Sequence, residues 1–174
     1  MVPTWFRPTS LAQLLALQTS MTSMPAGTVK LVVGNTAMGV SKYYQATPYN
    51  YSVYVDVAHV AEFRTSRVDA SSGITAGAAV TIDDLIQLCH QADPKAPTQT
   101  NDPTLDDNMS TATSTFAAVS RQLCRVANTQ VRGVASWTGN MMLAAHHSNF
   151  PSDVCLVSRC ACPPTTSACL HHQR

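Results

Sequence analysis

Charge is scarce in this sequence and no stretch concentrates one sign of it. Lys and Arg number 11 and Asp and Glu 10 in 174 residues, a net charge of +1. A nucleic-acid partner calls for a basic stripe along one face, and its absence argues against that class. No apolar run approaches the roughly 20 residues that cross a bilayer. The short candidate LAQLLAL carries Gln13 and has no clear basic region before it, which argues against a secretory signal and against a membrane.

Phosphate-loop and metal signatures are missing as well. Neither G-x-G-x-x-G nor G-x-x-x-x-G-K-[ST] occurs. The 6 cysteines do not form the framework of a small secreted fold. Cys89 and Cys124 stand alone in helical patterns, whereas Cys155, Cys160, Cys162 and Cys169 crowd the end of the chain. Reduced thiols and a cytoplasmic setting are the reading. With His171 and His172 the end offers zinc-ligand types, but C-x-C followed by two prolines lacks the spacing of a structural zinc site. Asp102, Asp106 and Asp107 lack the ordered spacing and closing glutamate of a calcium loop. No metal site is expected.

What is present is enough apolar residue, 45% of the chain, for one domain with a real core. The organising stretch is Val29 to Gly39, VKLVVGNTAMG. Val29 to Val33 is rich in β-branched residues and reads as a buried strand. Gly34, Asn35, Thr36 and Gly39 then make a tight polar loop whose backbone can approach another group. Free amides at such a loop suit a phosphate or pyrophosphate. The alternative is a strand ending in a surface turn.

Around it, Ser10 with Gln13 forms a capping box ahead of Leu11, Leu14 and Leu15, predicting a helix over Ser10 to Gln18 with core leucines. Ser52 to Val57 alternates as a strand, and Tyr43, Tyr44, Tyr49, Tyr51 and Tyr54 read as edge aromatics with wet hydroxyls. Ser71, Ser72 and Gly73 mark a turn, and ITAGAAV at Ile74 to Val80 is a run of small residues for close packing. Thr81 with Asp84 is a second capping box, and Ile82, Leu85, Ile86 and Cys89 fall on one helical face, which makes Cys89 a core thiol. Residues 92–115 form a polar loop or insertion, and Thr115 to Ala127 returns to helical order with Phe116, Val119, Leu123 and Val126 aligned. Asn128 to Asn140 then gathers Gly133, Ser136, Thr138, Gly139 and Asn140 in a second ligand-admitting turn.

Two such loops, KLVVGNTAMG at Lys30 to Gly39 and ANTQVRGVASWTGNMMLA at Ala127 to Ala144, resemble the flavin loops of the molybdenum hydroxylases, the family of xanthine dehydrogenase and aldehyde oxidase. FPSD at Phe150 to Asp153, RPTSLAQLL and ITAGAAVTIDDL match the same pattern in order. The resemblance implies an α+β FAD-binding fold of the molybdopterin dehydrogenase type, not Rossmann and truncated. It covers 1–154 as a partial FAD-binding domain, with 155–174 as an atypical, irregular tail.

On this resemblance Leu31, Val32, Val33, Gly34, Asn35, Thr36, Ala37 and Met38 line FAD, joined by Val126, Ser136, Gly139, Asn140 and Asp153. No catalytic acid or base is implied. The implied activity is that of an oxidoreductase part, relaying electrons from iron–sulfur clusters through FAD to NAD or dioxygen. The iron–sulfur and molybdenum domains would be partners, their cofactors absent from this chain. The alternative is a non-catalytic remnant without flavin, acting as a small interaction or metal-binding module. Two departures stand out: Ala37 replaces a common Glu, and Thr138 the first glycine of Gly-Gly-Asn.

Overall fold

The computed structural model describes residues 2–38, 51–99, 114–146, 150, 152 and 154–155. Gly39, Tyr43, Tyr44, Tyr49, Asp102, Asp106, Asp107, Asp153 and the cysteines beyond Cys155 lie outside the described residues.

The first layer is a 3-stranded sheet of β1 (Thr4–Phe6), β2 (Val29–Val32) and β3 (Val53–Asp56), in the order β1-β3-β2. Both pairings are parallel, with Thr4 and Val29 each opposite Val53. Helix α1 (Leu11–Ser20) connects β1 to β2 and covers the sheet with Leu14, which packs into a cluster with Val53, Val55, Val57 and Val60. Ser10 caps it as predicted, its Oγ accepting from Gln13 N at 3.3 Å. Gln13 Oε1 closes the cap one residue earlier than the box pattern, accepting from Thr9 N at 2.8 Å.

Two expectations are corrected here. Strand β2 is half-open, with Leu31 49% exposed, because β3 takes the centre of the sheet and leaves β2 at the edge. Leu15 is 52% exposed, so Leu14 carries the burial with partial help from Leu11 and Leu17.

A second, 2-stranded sheet follows as the hairpin of β4 (Ser66–Asp69) and β5 (Gly73–Ala76). Neither strand alternates clearly in sequence. The turn between them is built by Asp69, whose Oδ1 accepts from Ser71 N at 2.9 Å, Ser72 N at 2.9 Å and Ser71 Oγ at 2.6 Å. These bonds hold its carboxyl well below the usual carboxylate range, the Ser71 hydroxyl contributing most. Gly73 closes the turn at φ +86°, a conformation that side chains disfavour.

The remaining layer is helical. Helix α2 (Ile82–Ala92) is capped by Thr81, whose Oγ1 accepts from Asp84 N at 3.0 Å. It buries Ile82, Ile86, Leu88 and Cys89. The α3 helix (Thr115–Cys124), capped by Ser114, packs along it through Ala117, Leu123 and Cys124. Burial, and then the neighbouring Cys124, push the Cys89 thiol up to about 12, which leaves it a core group rather than a nucleophile at neutral pH.

The predicted second loop is mostly helical. Asn128 Oδ1 accepts from Val131 N at 2.9 Å and opens α4 (Thr129–Arg132). Ser136 Oγ accepts from Gly139 N at 3.1 Å at the start of α5 (Trp137–His146). Asn and Ser acting as N-caps were the available signal, masked by the glycines around them.

Candidate functional site

The two sequence-predicted loops meet. A Cβ built on Gly34 would lie 2.0 Å from the carbonyl oxygen of Val134 and 3.2 Å from Ala135 N, so backbone packs directly on backbone. Asn35 follows in the left-handed region at φ +51°, which turns the chain away from the strand. Among the described residues, the N–H groups of Gly34, Asn35, Thr36 and Ala37 donate to no protein acceptor. Met38 N closes the loop onto Asn35 O at 3.4 Å, and Lys30 Nζ lies 2.9 Å from Met38 Sδ.

Facing this loop is a junction of two helix starts. Thr81 and Ser136 form an antiparallel bridge, with Ile82 N donating to Ala135 O at 2.9 Å and Trp137 N to Val80 O at 3.3 Å. The caps of α2 and α5 therefore sit side by side. Their electrostatics differ. Helix α2 carries Asp83 and Asp84 in its first turn and neutralises its own positive end, whereas α5 has no acidic residue there. Trp137 Nε1 donates to Gly77 O at 2.9 Å and Thr138 Oγ1 to Ala78 O at 2.6 Å, fixing the first turn of α5 against the segment before α2. Thr138, unexpected at its position, thus has a structural partner.

Of the remaining expected residues, Ser136 is buried, Gly139 exposed and Asn140 half-buried. Asn140 Oδ1 accepts from Ser152 Oγ at 2.6 Å, which ties the segment before Asp153 to α5. Val126 is only 7% exposed and packs in the core with Ile82, Leu123 and Val154. Val32 is buried and Leu31 stands on the open edge of the sheet.

A cavity of about 600 Å³ opens at the carboxyl ends of β2 and β3, the place where ligands settle in parallel sheets. Val33, Gly34, Gly133 and Val134 form its rim, and Asp56, His59, Arg64 and Asp84 supply polar walls. Asn35 to Met38 and Ser136 to Asn140 are not among its lining residues, so only the root of each predicted loop borders it. Sequence reasoning missed Thr81, Val134 and Arg132 at this junction. The Thr81 cap was legible as a helix start, but its pairing with Ser136 was not.

The family model described as the FAD-binding domain in molybdopterin dehydrogenase matches residues 2–159. The chain belongs to this family. Aldehyde oxidase 4 of Arabidopsis thaliana is 32% identical over 151 residues, covering 86% of this chain and 10% of that protein. Xanthine dehydrogenase/oxidase of Gallus gallus is 30% identical over 141 residues, covering 81% of this chain and 9% of that protein. The chain therefore spans about a tenth of the length of these relatives. A solved carbon monoxide dehydrogenase from Hydrogenophaga pseudoflava is 18% identical with a TM-score of 0.49, covering 81% of this chain and 39% of that one.

FAD is the cofactor of this domain family, and the α+β architecture is that of its FAD-binding fold. The residues present fit such a group. Consecutive amides at Gly34 to Ala37 that meet no acceptor among the described residues are donors of the kind a diphosphate requires.

Proposed function

We propose that this chain holds FAD where the Gly34 loop meets the start of α5, and serves as the flavin segment of a longer oxidoreductase. Electrons would arrive from iron–sulfur clusters and leave to NAD or dioxygen, with substrate oxidised on a molybdenum domain. The observation that carries the reading is the backbone contact of Gly34 with Val134, which brings both loops to one junction.

The flavin supplies the redox chemistry when bound, and the chain's own residues bind and orient it. The amides of Gly34, Asn35, Thr36 and Ala37 donate toward the diphosphate, and Met38 with Leu31, Val32 and Val33 provides apolar cover. Ser136 and Gly139 shape the opposing turn. Asn140, held by Ser152 at its oxygen, presents its amide N–H₂ as a further donor. Asp153 completes the set in this proposal. No acid or base in the chain is required.

Flavin-fluorescence quenching on titration with FAD tests the reading. Asn140→Ala removes a donor to a charged group, worth about 1.5–3 kcal/mol, and is expected to weaken binding about ten- to a hundred-fold. Unchanged affinity in this variant places the diphosphate elsewhere.

A further inference from the structure

Arg132 is the largest fully buried side chain among the described residues, and its donors reach four acceptors on α2, on the stretch that ends α3 and on its own helix. Nε donates to Asp83 Oδ1 at 3.1 Å, on the first turn of α2. Nη1 donates to the carbonyls of Cys124 and Val126, each at 3.0 Å, at the end of α3 and just beyond it. Nη2 donates to Thr129 Oγ1 at 3.1 Å. Only a planar fork with several fixed donors can hold these acceptors together.

Between the two carbonyls and Asn128 the backbone passes through Ala127 at φ +45°, which alanine disfavours and which the bonds to Cys124 and Val126 hold in place. Immediately after Arg132 come Gly133, Val134 and Ala135. Val134 is the residue whose carbonyl meets Gly34, and Ala135 O is held by Ile82 N, beside Asp83 on the same helical turn. Asp83 Oδ2 also lies 3.8 Å from where a Cβ on Gly133 would stand. The first turn of α2 thus grips the second loop twice, once through its backbone and once through Arg132.

We infer that Arg132, braced by Asp83, is a positioning residue for the flavin: it sets how far the Val134–Gly139 segment stands from the Gly34 loop without touching the cofactor itself. This rests on the FAD reading above. Lysine at the same place keeps the charge and can reach Asp83, but cannot also hold both carbonyls and Thr129.

The test uses the whole chain and measures FAD affinity by flavin-fluorescence quenching beside amide hydrogen exchange without FAD. In Arg132→Lys, affinity is expected to fall about ten-fold or more, with faster exchange confined to 126–139. Asp83→Ala, which removes both the acceptor of Nε and the counter-charge of the buried guanidinium, is expected to behave like Arg132→Lys. Cys89→Ala, which loosens the far end of α2, controls for general loss of stability and should leave affinity unaltered. Parental affinity in folded Arg132→Lys, or a loss in Cys89→Ala as large as its own, overturns the inference. Absence of FAD binding by the parent chain overturns the flavin reading and the inference with it.

Discussion

Gly34→Ala is expected to cost the chain most of its affinity for FAD and to lower its melting temperature. A methyl group there would stand 2.0 Å from Val134 O and 2.6 Å from Val134 C, both backbone atoms that no rotamer change can clear. One loop must retreat by more than an ångström. Forcing extra volume into a tight contact costs about 1–3 kcal/mol and occasionally more, equivalent in affinity to about five- to a hundred-fold or greater. The comparison variant is Gly133→Ala, whose Cβ meets Thr129 O at 3.3 Å and needs a shift of only a few tenths of an ångström. Flavin-fluorescence titration and thermal melts on both variants check the expectation. Equal behaviour of the two would mean that the loop contact is not what brings the binding groups together.

The largest stability loss is expected from Arg132→Met. Methionine fills similar volume but leaves the carbonyls of Cys124 and Val126 without their donor and Asp83 without its ion-pair partner. Arg132 is 2% exposed, although the Asp83 side chain at 31% retains some access to water. Breaking a buried pair in this way costs about 3–5 kcal/mol. For a chain of this size each kcal/mol shifts the melting point by about 2–4 °C, so a fall of about 6–20 °C follows. A shift within about 2 °C, read by circular dichroism, would show that water replaces the guanidinium at little cost.

Several parts of this molecule were legible because one local rule decided them. The β-branched run ending at Gly34 and Asn35 announced a strand and loop, and Ser10 and Thr81 open helices as side-chain caps. Other parts depended on neighbours far along the chain. Leu31 and Leu15 are as apolar as Val32 and Leu14, and only the strand order and the docking of α1 decide which pair is covered. The hairpin of β4 and β5 carries SRVD and GITA, with too little alternation to be seen, and owes its turn to the Asp69 carboxylate.

The candidate site divides in the same way. Gly34 was recognisable as a glycine that something approaches closely, but the nearest neighbour is Val134 rather than a ligand. A side chain there is excluded by the second loop itself. The glycines and small residues of 128–140 suggested one open turn, while Asn128 and Ser136 were cap residues of two helices. Arg132 gave no sign in sequence, since an arginine within a short polar segment is ordinarily a surface residue.

The parallel sheet has a consequence for the order in which the chain assembles. Each of its ladders joins residues far apart in the chain, Thr4 with Val53 and Val29 with Val53, while the hairpin joins Asp69 to Gly73. Loop closure must be completed before distant partners reward it, so sequence-local contacts such as the hairpin nucleate sooner and long-range parallel pairing comes later. Strand β3 is the shared template for both ladders, and until it is in place β1 and β2 have no edge on which to register. The Gly34 loop hangs from β2. The junction of the Gly34 loop with Val134 is therefore among the last features of the fold to mature, whatever the intrinsic speed of its helices.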